Sequence, residues 1–598
     1  MYDYKEPWKI NLASVLNAIL SEAGIKENIT SAQIVAENPP DSQMGDIGFP
    51  MFSFAKALRK GPPQIAQMAA EKLNALANDD GKAEAQGPYV NIKLARGSVV
   101  KNILEDVIKG SKPDTLAGKK IMVEFSSPNT NKPLHLGHLR NDVLGESISR
   151  ILAACGADVR KVCIINDRGI HICKSMLSYK EQGQGKTPES ENIKSDRFVG
   201  DWYVIFSRQL KAETENLISN GIDPKKAEAQ APLMLRAQEL LRQWEAGDSE
   251  TCELWKKMNS WAIEGMKQTY KRTGISFDQY YYESETYMLG KDEVLKGLEK
   301  GIFYKQEDGA VAVDLTEENL DKKILLRGDG TSIYITQDFG TAINRHKDWP
   351  FNKMIYVVGS EQQYHFKVLF ILLKKLGYSW ADNLFHLSYG MVNLPEGKMK
   401  SREGTVVDAD DLIDNLRDMA LAEIREKERE EEVGNPAEVA EKIALGALHY
   451  FLLQVSAVKD MLFDPKESLS FTGNTGPYLQ YMGARICSML RKNESGSGES
   501  GAVKDFSLLV SDSEWDLIKV LAGYSQAVAE AAENLDPSHL AGYLYELSKC
   551  FSRFYHECPI LTCEDKRLSQ ARLELSRAVM LVLKDAFNLV CIPFLDIM

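Results

Sequence analysis

The segment from Lys120 to Arg150, KIMVEFSSPNTNKPLHLGHLRNDVLGESISR, constrains the fold more than any other stretch. Ile121, Val123 and Phe125 lie in a β-rich apolar run that stops at Ser126-Ser127-Pro128-Asn129, and from Leu139 the apolar spacing lengthens to the three-and-four rhythm of a helix. A strand therefore feeds a loop that feeds a helix. At the junction stands His135-Leu136-Gly137-His138, whose two imidazoles, three apart, share one side of the first helical turn. Gly137 lets a flat ring or a phosphate approach the backbone. The helix N-terminus adds unpaired N–H groups and the positive end of a dipole. Two histidines there are placed to donate to charge that builds on an α-phosphate during displacement. Four letters alone recur by chance and lone histidines are more often structural; the strand-loop-helix setting is what favours chemistry.

The chain has 598 residues, 44% of them hydrophobic, enough for a large core divided among three or four domains. Its apolar runs stop well short of the ~20 residues that span a bilayer. The N-terminus MYDYKEPWKI has neither the basic nor the apolar region of a signal peptide, so a soluble cytoplasmic protein without a membrane role is expected. Nine scattered cysteines lack paired C-x-x-C spacing and read as reduced thiols. Cys558 and Cys563 near His556 lack a fourth ligand, and no metal site is expected. A net charge of −13 argues against indiscriminate nucleic-acid binding but leaves room for RNA on a localised basic face.

Along the chain, residues 1–112 read as an α/β module, with helical spacing in Leu12 to Ala23 and Ile65 to Leu76 and a turn and strand over Gly87 to Leu94. Tyr89 and Asn91 share one face of that strand, where an aromatic beside an amide suits either an unpaired base or ordinary sheet packing. Val159 to Ile165 forms a second apolar strand ended by Asn166-Asp167-Arg168-Gly169. Strand, helix, strand, turn begins a doubly wound parallel sheet, the Rossmann-like α/β class, in which ligands collect beyond the carboxyl ends of the strands. From about 182 to 273 the chain turns polar and helical, an insertion in which Trp202, Trp244, Trp255 and Trp261 read as packing anchors.

β-Rich runs resume at Ala310 to Leu315, Ser332 to Thr336, Lys353 to Val358 and Leu387 to Val392. Tyr334, Asp338 and Gln362 fall at their ends or in the following turns; Asp338 is either a helix cap or a carboxylate that meets a cation. Residues 397–407, GKMKSREGTVV, form a basic glycine-bracketed loop suited to a triphosphate or simply to solvent. The catalytic sheet is thus assigned to 113–408, and helical periodicity dominates 409–598.

Together these motifs resemble the class I aminoacyl-tRNA synthetases, and among them the arginyl-tRNA synthetase family. His135-Leu136-Gly137-His138 matches the class signature and residues 397–407 its second signature loop, while Glu124-Phe125-Ser126-Ser127-Pro128-Asn129 and Tyr334-Ile335-Thr336-Gln337-Asp338 resemble the arginine-specific version. The resemblance covers nearly the whole chain. The first 110 residues resemble the family's added N-terminal domain, and the run from Phe471 to Arg485 resembles the start of its helical anticodon-binding domain.

The resemblance implies that ATP, with Mg²⁺, activates arginine and that the adenylate is then transferred to the terminal adenosine of tRNA(Arg). It makes His135, His138, Lys132, Lys398 and Lys400 the catalytic set. It places His135, Gly137, His138, Lys398, Met399 and Arg402 on ATP, and Glu124, Ser127, Asn129, His138, Tyr334, Asp338 and Gln362 around arginine. A guanidinium has fixed forked donors that carboxylate acceptors read, and Asp338 is the expected partner. In the second loop the family's second lysine is replaced by Ser401, with Lys400 one place earlier, and Lys132 is the expected replacement for the missing charge. Tyr89 and Asn91 are expected on the tRNA D-loop, and Tyr478, Gln480 and Arg485 on the anticodon side. The family also implies that activation needs bound tRNA; a monomer is expected. A cysteinyl enzyme would call for paired zinc-ligand cysteines, a small adenylyltransferase would leave the terminal domains idle, and a non-catalytic paralogue is disfavoured by the intact His135, Gly137 and His138.

Overall fold

The computed structural model describes residues 2–76, 80–395, 407–496 and 505–598, without the side chains of 42 and 494–496. In the N-terminal module helix α2 (Pro62–Ala75) packs on an antiparallel sheet of β1 (Ile47–Pro50), β2 (Gly81–Gln86) and β3 (Tyr89–Leu94) in the order β1-β3-β2, and helix α1 (Glu6–Glu22) packs on α2. Helix α3 (Arg96–Ile108) leads out of it.

The central sheet is five-stranded and wholly parallel. It comprises β4 (Lys120–Glu124), β5 (Asp158–Ile165), β6 (Gln279–Tyr282), β7 (Lys353–Gly359) and β8 (Leu384–Tyr389), in the order β8-β7-β4-β5-β6. The chain winds outward from β4 in one direction through β5 and β6, and then returns to β4's other side with β7. β4 is therefore the topological switch, and its carboxyl end opens into the crevice where such sheets bind ligands.

Alternate residues of the strands serve two cores. Ile121, Val123, Ile355 and Val357 pack with helix α4 (Leu136–Ala154), whereas Met122, Met354 and Tyr356 pack with α7 (Tyr334–Asp348) and α8 (Gln363–Lys375). Helix α4 lies so close to the sheet that a Cβ at Gly145 would overlap the Phe125 ring. This close approach holds the helix that begins with the histidine signature firmly against its strand.

The insertion is helical, with α5 (Ser195–Ser219) and α6 (Ser249–Thr273) as its longest members. Tyr179, Phe198, Trp202 and Trp261 form an edge-to-face aromatic cluster, the packing role expected for these tryptophans. After the sheet, helices α9 (Ala409–Glu426) and α10 (Pro436–Leu453) pair, and α11 (Gly476–Gly496), α12 (Ser538–Glu557) and α13 (Lys566–Leu589) continue a helical region, interrupted only, among the described residues, by a short strand at Met461–Leu462 that pairs in parallel with Val392–Asn393.

One expected strand is a helix. Ile333 and Ile335 alternate with Tyr334 as in a strand, but helix α7 begins at Tyr334, and the Thr336 hydroxyl donates to the Leu325 carbonyl on a neighbouring small antiparallel sheet. A further expected run, Ala310 to Leu315, yields only Val311–Val313, the middle strand of that separate sheet.

Candidate active site

The loop leaving β4 is held by its own polar groups. Ser126 takes a positive φ of 61°, its N–H donates to Asn141 Oδ1 at 2.6 Å, and its hydroxyl meets the Tyr270 hydroxyl at 2.6 Å. At the far end of the loop Leu134 accepts a hydrogen bond from the Ala409 amide at 2.9 Å, so the start of α9 is tied to the histidine turn.

His135 is the N-cap of α4, and its backbone N–H donates to His138 Nδ1 at 3.1 Å. The two rings stack with centroids 3.8 Å apart and planes 23° apart. A side chain at position 137 would crowd the His135 ring, which explains the glycine. Burial, followed by the nearby Lys132 charge, pushes His135 down to about 3. Burial, then His135 and Lys132, hold His138 well below the usual imidazole range. Both rings are therefore neutral at pH 7. Because Nδ1 of His138 accepts, its proton sits on Nε2, leaving a neutral donor at the mouth of a helix dipole. Burial also lowers the proton affinity of Lys132, which no carboxylate pairs among the described residues.

Beyond the carboxyl ends of the strands lies a cavity of about 930 Å³ whose walls include Asn129, Arg168, Tyr334 and Asp338. Tyr334, 78% exposed, opens α7, and Asp338 follows one turn later with Oδ2 2.6 Å from His365 Nε2. Asn129 forms a parallel bridge with Asn166, whose side-chain amide donates to the exposed Ser127's carbonyl at 3.0 Å. Gln362 is exposed, caps α8 and precedes His365 by one turn. Glu124 is buried in the sheet floor and ion-paired with Arg345 of α7. Its carboxyl is pushed up by burial and held down chiefly by that arginine.

The structure adds residues that spacing did not single out. Arg168 stands 4.0 Å from the Tyr287 ring centroid and 5.4 Å from that of Trp244, and pairs with Glu245 at 3.0 Å. Trp244 packs on the Trp255 and Tyr287 rings, as an anchor should, and backs Arg168 on the cavity wall. Glu283, on the same wall, is pushed up to about 7 by burial. The turn position of Arg168 after β5 was a visible signal, whereas His365 and Arg345 carried none. Asp167, at the end of β5, is a structural clamp: its carboxylate accepts from Ser284 N–H and hydroxyl, and its carbonyl from Trp255 and Asn259. Lys398, Met399, Lys400, Ser401 and Arg402 lie outside the described residues. Among the described residues no three His, Cys, Asp or Glu side chains converge as a metal site.

Residues 99–465 match the family model of the class I (R) tRNA synthetase catalytic domain, residues 10–94 the arginyl-tRNA synthetase N-terminal domain, and residues 479–598 the DALR anticodon-binding domain. The chain belongs to the arginyl-tRNA synthetase family. It is 61% identical to the arginine–tRNA ligase of Treponema denticola and 53% identical to that of Treponema pallidum, covering 100% of both chains in each case. Its fold matches the solved arginyl-tRNA synthetase of Thermus thermophilus with a TM-score of 0.79 at 25% identity over 100% of each chain.

On the synthetase's outer domains the five residues expected on tRNA divide into two groups. Tyr89 is partly exposed and meets the 56%-exposed Phe52 edge to face at 5.9 Å. Tyr478, Tyr481 and Arg485 lie half-buried on α11, with Arg485 donating to the Tyr481 hydroxyl at 2.9 Å and stacked against the Tyr555 ring. Asn91, however, is buried and donates to Gln86 Oε1 at 3.1 Å. Gln480 is wholly buried, its amide donating to the Lys442 and Pro593 carbonyls. These two amides satisfy interior groups instead of facing solvent, so the surface placement expected for them does not hold.

Proposed function

We propose that the synthetase carries out its reaction, the ATP-driven joining of arginine to tRNA(Arg), with ATP's phosphates at the histidine turn and arginine in the neighbouring cavity. The observation that carries this division of labour is the pair of features that the β4 loop joins, the histidine turn at one end and, through Asn129, the cavity that Asp338 lines. A neutral donor cluster stands at a helix N-terminus, and on α7 a partly exposed carboxylate, Asp338, lines the cavity. In the first step the arginine carboxylate attacks the α-phosphorus and pyrophosphate leaves. His138 Nε2–H and the α4 N-terminus stabilise the growing charge on the non-bridging oxygens without a proton having to move. Lys132 supplies a positive charge beside the histidines, in the role left open by Ser401.

Asp338 and Tyr334 read the guanidinium, and Asn129 and Gln362 orient the α-amino end. A forked cation fills two acceptor directions that the point charge of lysine cannot. Lys398, Lys400 and Arg402 neutralise the departing pyrophosphate, and Mg²⁺ enters with ATP, held by phosphate oxygens and water. In the second step a ribose hydroxyl of the terminal adenosine attacks the mixed-anhydride carbonyl and AMP leaves. Tyr89 with Phe52, and Tyr478 with Tyr481 and Arg485, present aromatic and cationic faces suited to unpaired tRNA bases. We take the enzyme to act as a cytoplasmic monomer.

The test is aminoacylation with each of the twenty amino acids, together with pyrophosphate exchange in the presence and absence of tRNA. Charging of arginine alone and exchange only with tRNA are expected. Equal charging of lysine would overturn the reading of the cavity.

A further inference from the structure

Arg345 lies seven residues beyond Asp338 on α7, so the two share one face of the helix, Asp338 at the cavity and Arg345 two turns deeper. It is 2% exposed. Its Nη1 pairs with Glu124 Oε2 at the carboxyl end of β4, and its guanidinium lies 4.8 Å from the Tyr281 ring centroid. Nε and Nη2 are buried without a well-aligned acceptor. A buried pair left this incompletely satisfied is a poor source of stability, because a well-packed apolar pair would serve as well or better.

Its electrostatic setting gives the pair another purpose. Glu124 faces Arg345 and Asp338 from α7, Tyr356 from β7 and Cys163 from β5. Burial and Asp338 both favour a proton on Glu124, and Arg345 is the cation that opposes them. Two acids and one fixed guanidinium leave one net negative charge, the complement of one incoming guanidinium.

We propose that Arg345 is a positioning residue for arginine recognition, a resident guanidinium that holds Glu124 in place and charged beneath the cavity so that arginine binds without a proton leaving the site. This rests on the reading that the Asp338 cavity takes arginine. Without Arg345 nothing offsets the burial of Glu124, whose carboxyl takes up a proton that arginine binding must expel.

The experiment measures KM for arginine, ATP and tRNA during aminoacylation between pH 6.5 and 8.5. It compares the native enzyme with Arg345→Lys, Arg345→Met, Glu124→Gln and the neutral pair Glu124→Gln/Arg345→Met. For Arg345→Met, the arginine KM at pH 7 should rise about tenfold or more and then fall with increasing pH by up to tenfold per unit, the limit for one expelled proton. KM for ATP and tRNA should stay within about twofold, and Arg345→Lys should restore the native pH profile. An unchanged arginine KM, a raised KM that ignores pH, or an equal rise for ATP overturns the proposal. If Arg345→Met does not fold, the double variant compared with Glu124→Gln alone decides: Glu124→Gln leaves Arg345 unopposed and should raise the arginine KM, and removing Arg345 as well restores one net negative charge and should bring the KM back toward native without pH dependence. A double variant no better than Glu124→Gln overturns the proposal. Asp338→Asn serves as the control for the underlying reading. If it leaves the arginine KM unchanged, the cavity assignment falls; if it raises it while the Arg345 variants behave natively, only this inference falls.

Discussion

Replacing Asp338 by alanine removes the one accessible carboxylate on the α7 face of the cavity, and the structure sets the scale of the loss. Without substrate the carboxylate is bonded to His365 at 2.6 Å and its side chain is 41% exposed. The free enzyme therefore tolerates alanine well, and the cost appears when a guanidinium is buried there unpaired. Truncating one partner of a fully buried charge pair costs about 3–5 kcal/mol. Solvent reaching the open part of Asp338 screens the interaction, which reduces this to roughly 2–3 kcal/mol. At 1.36 kcal/mol per factor of ten, the arginine KM should rise about 30- to 150-fold. Steady-state aminoacylation with labelled arginine, with ATP and tRNA saturating, measures it directly. The KM for ATP should move by less than about twofold, because the histidine turn lies on another element. His365→Ala, which removes only the orienting partner, should raise the arginine KM by a smaller factor. A normal arginine KM in the Asp338 variant, or a parallel rise for ATP, would refute the reasoning.

Lys132→Ala should lower kcat for adenylate formation strongly, measured by single-turnover chemistry, while leaving tRNA affinity intact; loss of tRNA affinity alone would show that Lys132 does not replace the missing loop charge. His449 is buried with Nδ1 2.6 Å from the Cys591 carbonyl, and burial pushes it down to about 4. Its folded value lies below the unfolded one, so its contribution is whole above pH 6.5 and is lost as pH falls toward 4, amounting to about 2 kcal/mol between pH 8 and 5. His449→Gln should show a correspondingly shallower loss of thermal stability over that range. Gly145→Ala should destabilise the catalytic domain by about 1–3 kcal/mol, because the new methyl overlaps the Phe125 ring; a melting temperature equal to the native one would show that helix and strand can separate freely.

What could be read from the sequence follows from which interactions are local. The strand-loop-helix segment was legible because its apolar period changes from that of a strand to that of a helix within a few residues, and the histidine turn falls at the change. The fold's parallel order was legible for the same reason, one strand-helix-strand unit having essentially one way to close. Ser332 to Thr336 was misread because alternating isoleucines satisfy the strand pattern, while a tertiary bond from Thr336 to Leu325 helps settle the segment as a helix start. Asn91 and Gln480 were expected on tRNA through the family resemblance, with ordinary sheet packing as the alternative for Asn91. Their true partners, Gln86 in one case and the carbonyls of Lys442 and Pro593 in the other, are set by tertiary packing. Arg345 was invisible for the deeper reason that nothing near it in the chain marks a buried cation, and its partner Glu124 lies on a strand formed far earlier.

Helix α4 joins these separate observations into one mechanical argument. Its first turn carries the histidine pair, and its next residues are bolted to two other parts of the molecule. Asn141 donates to the Val357 carbonyl of β7 at 2.7 Å and reaches the Tyr389 hydroxyl at 3.1 Å. Arg140, 1% exposed, donates to the Leu452 carbonyl at the end of α10 and to the carbonyls of Ala457 and Lys459 beyond it. Farther along, Ser147 donates to Leu589 and Arg150 to Asn588 at the end of α13. One stiff helix thus has the histidine turn at its tip and the helical region along its flank, and close-packed interiors transmit displacement instead of absorbing it. A ligand that shifts the helical region must therefore strain these carbonyl contacts or carry the histidine pair along. This gives the expected need for tRNA during activation a physical route. Arg140→Met leaves the buried Leu452 carbonyl without this donor, about 1–3 kcal/mol before relaxation, while the Ala457 carbonyl keeps the Gly390 N–H and that of the exposed Lys459 can turn to water. It should weaken the dependence of pyrophosphate exchange on tRNA as well as lowering stability. Loss of stability with the tRNA dependence intact would mean that the signal runs elsewhere.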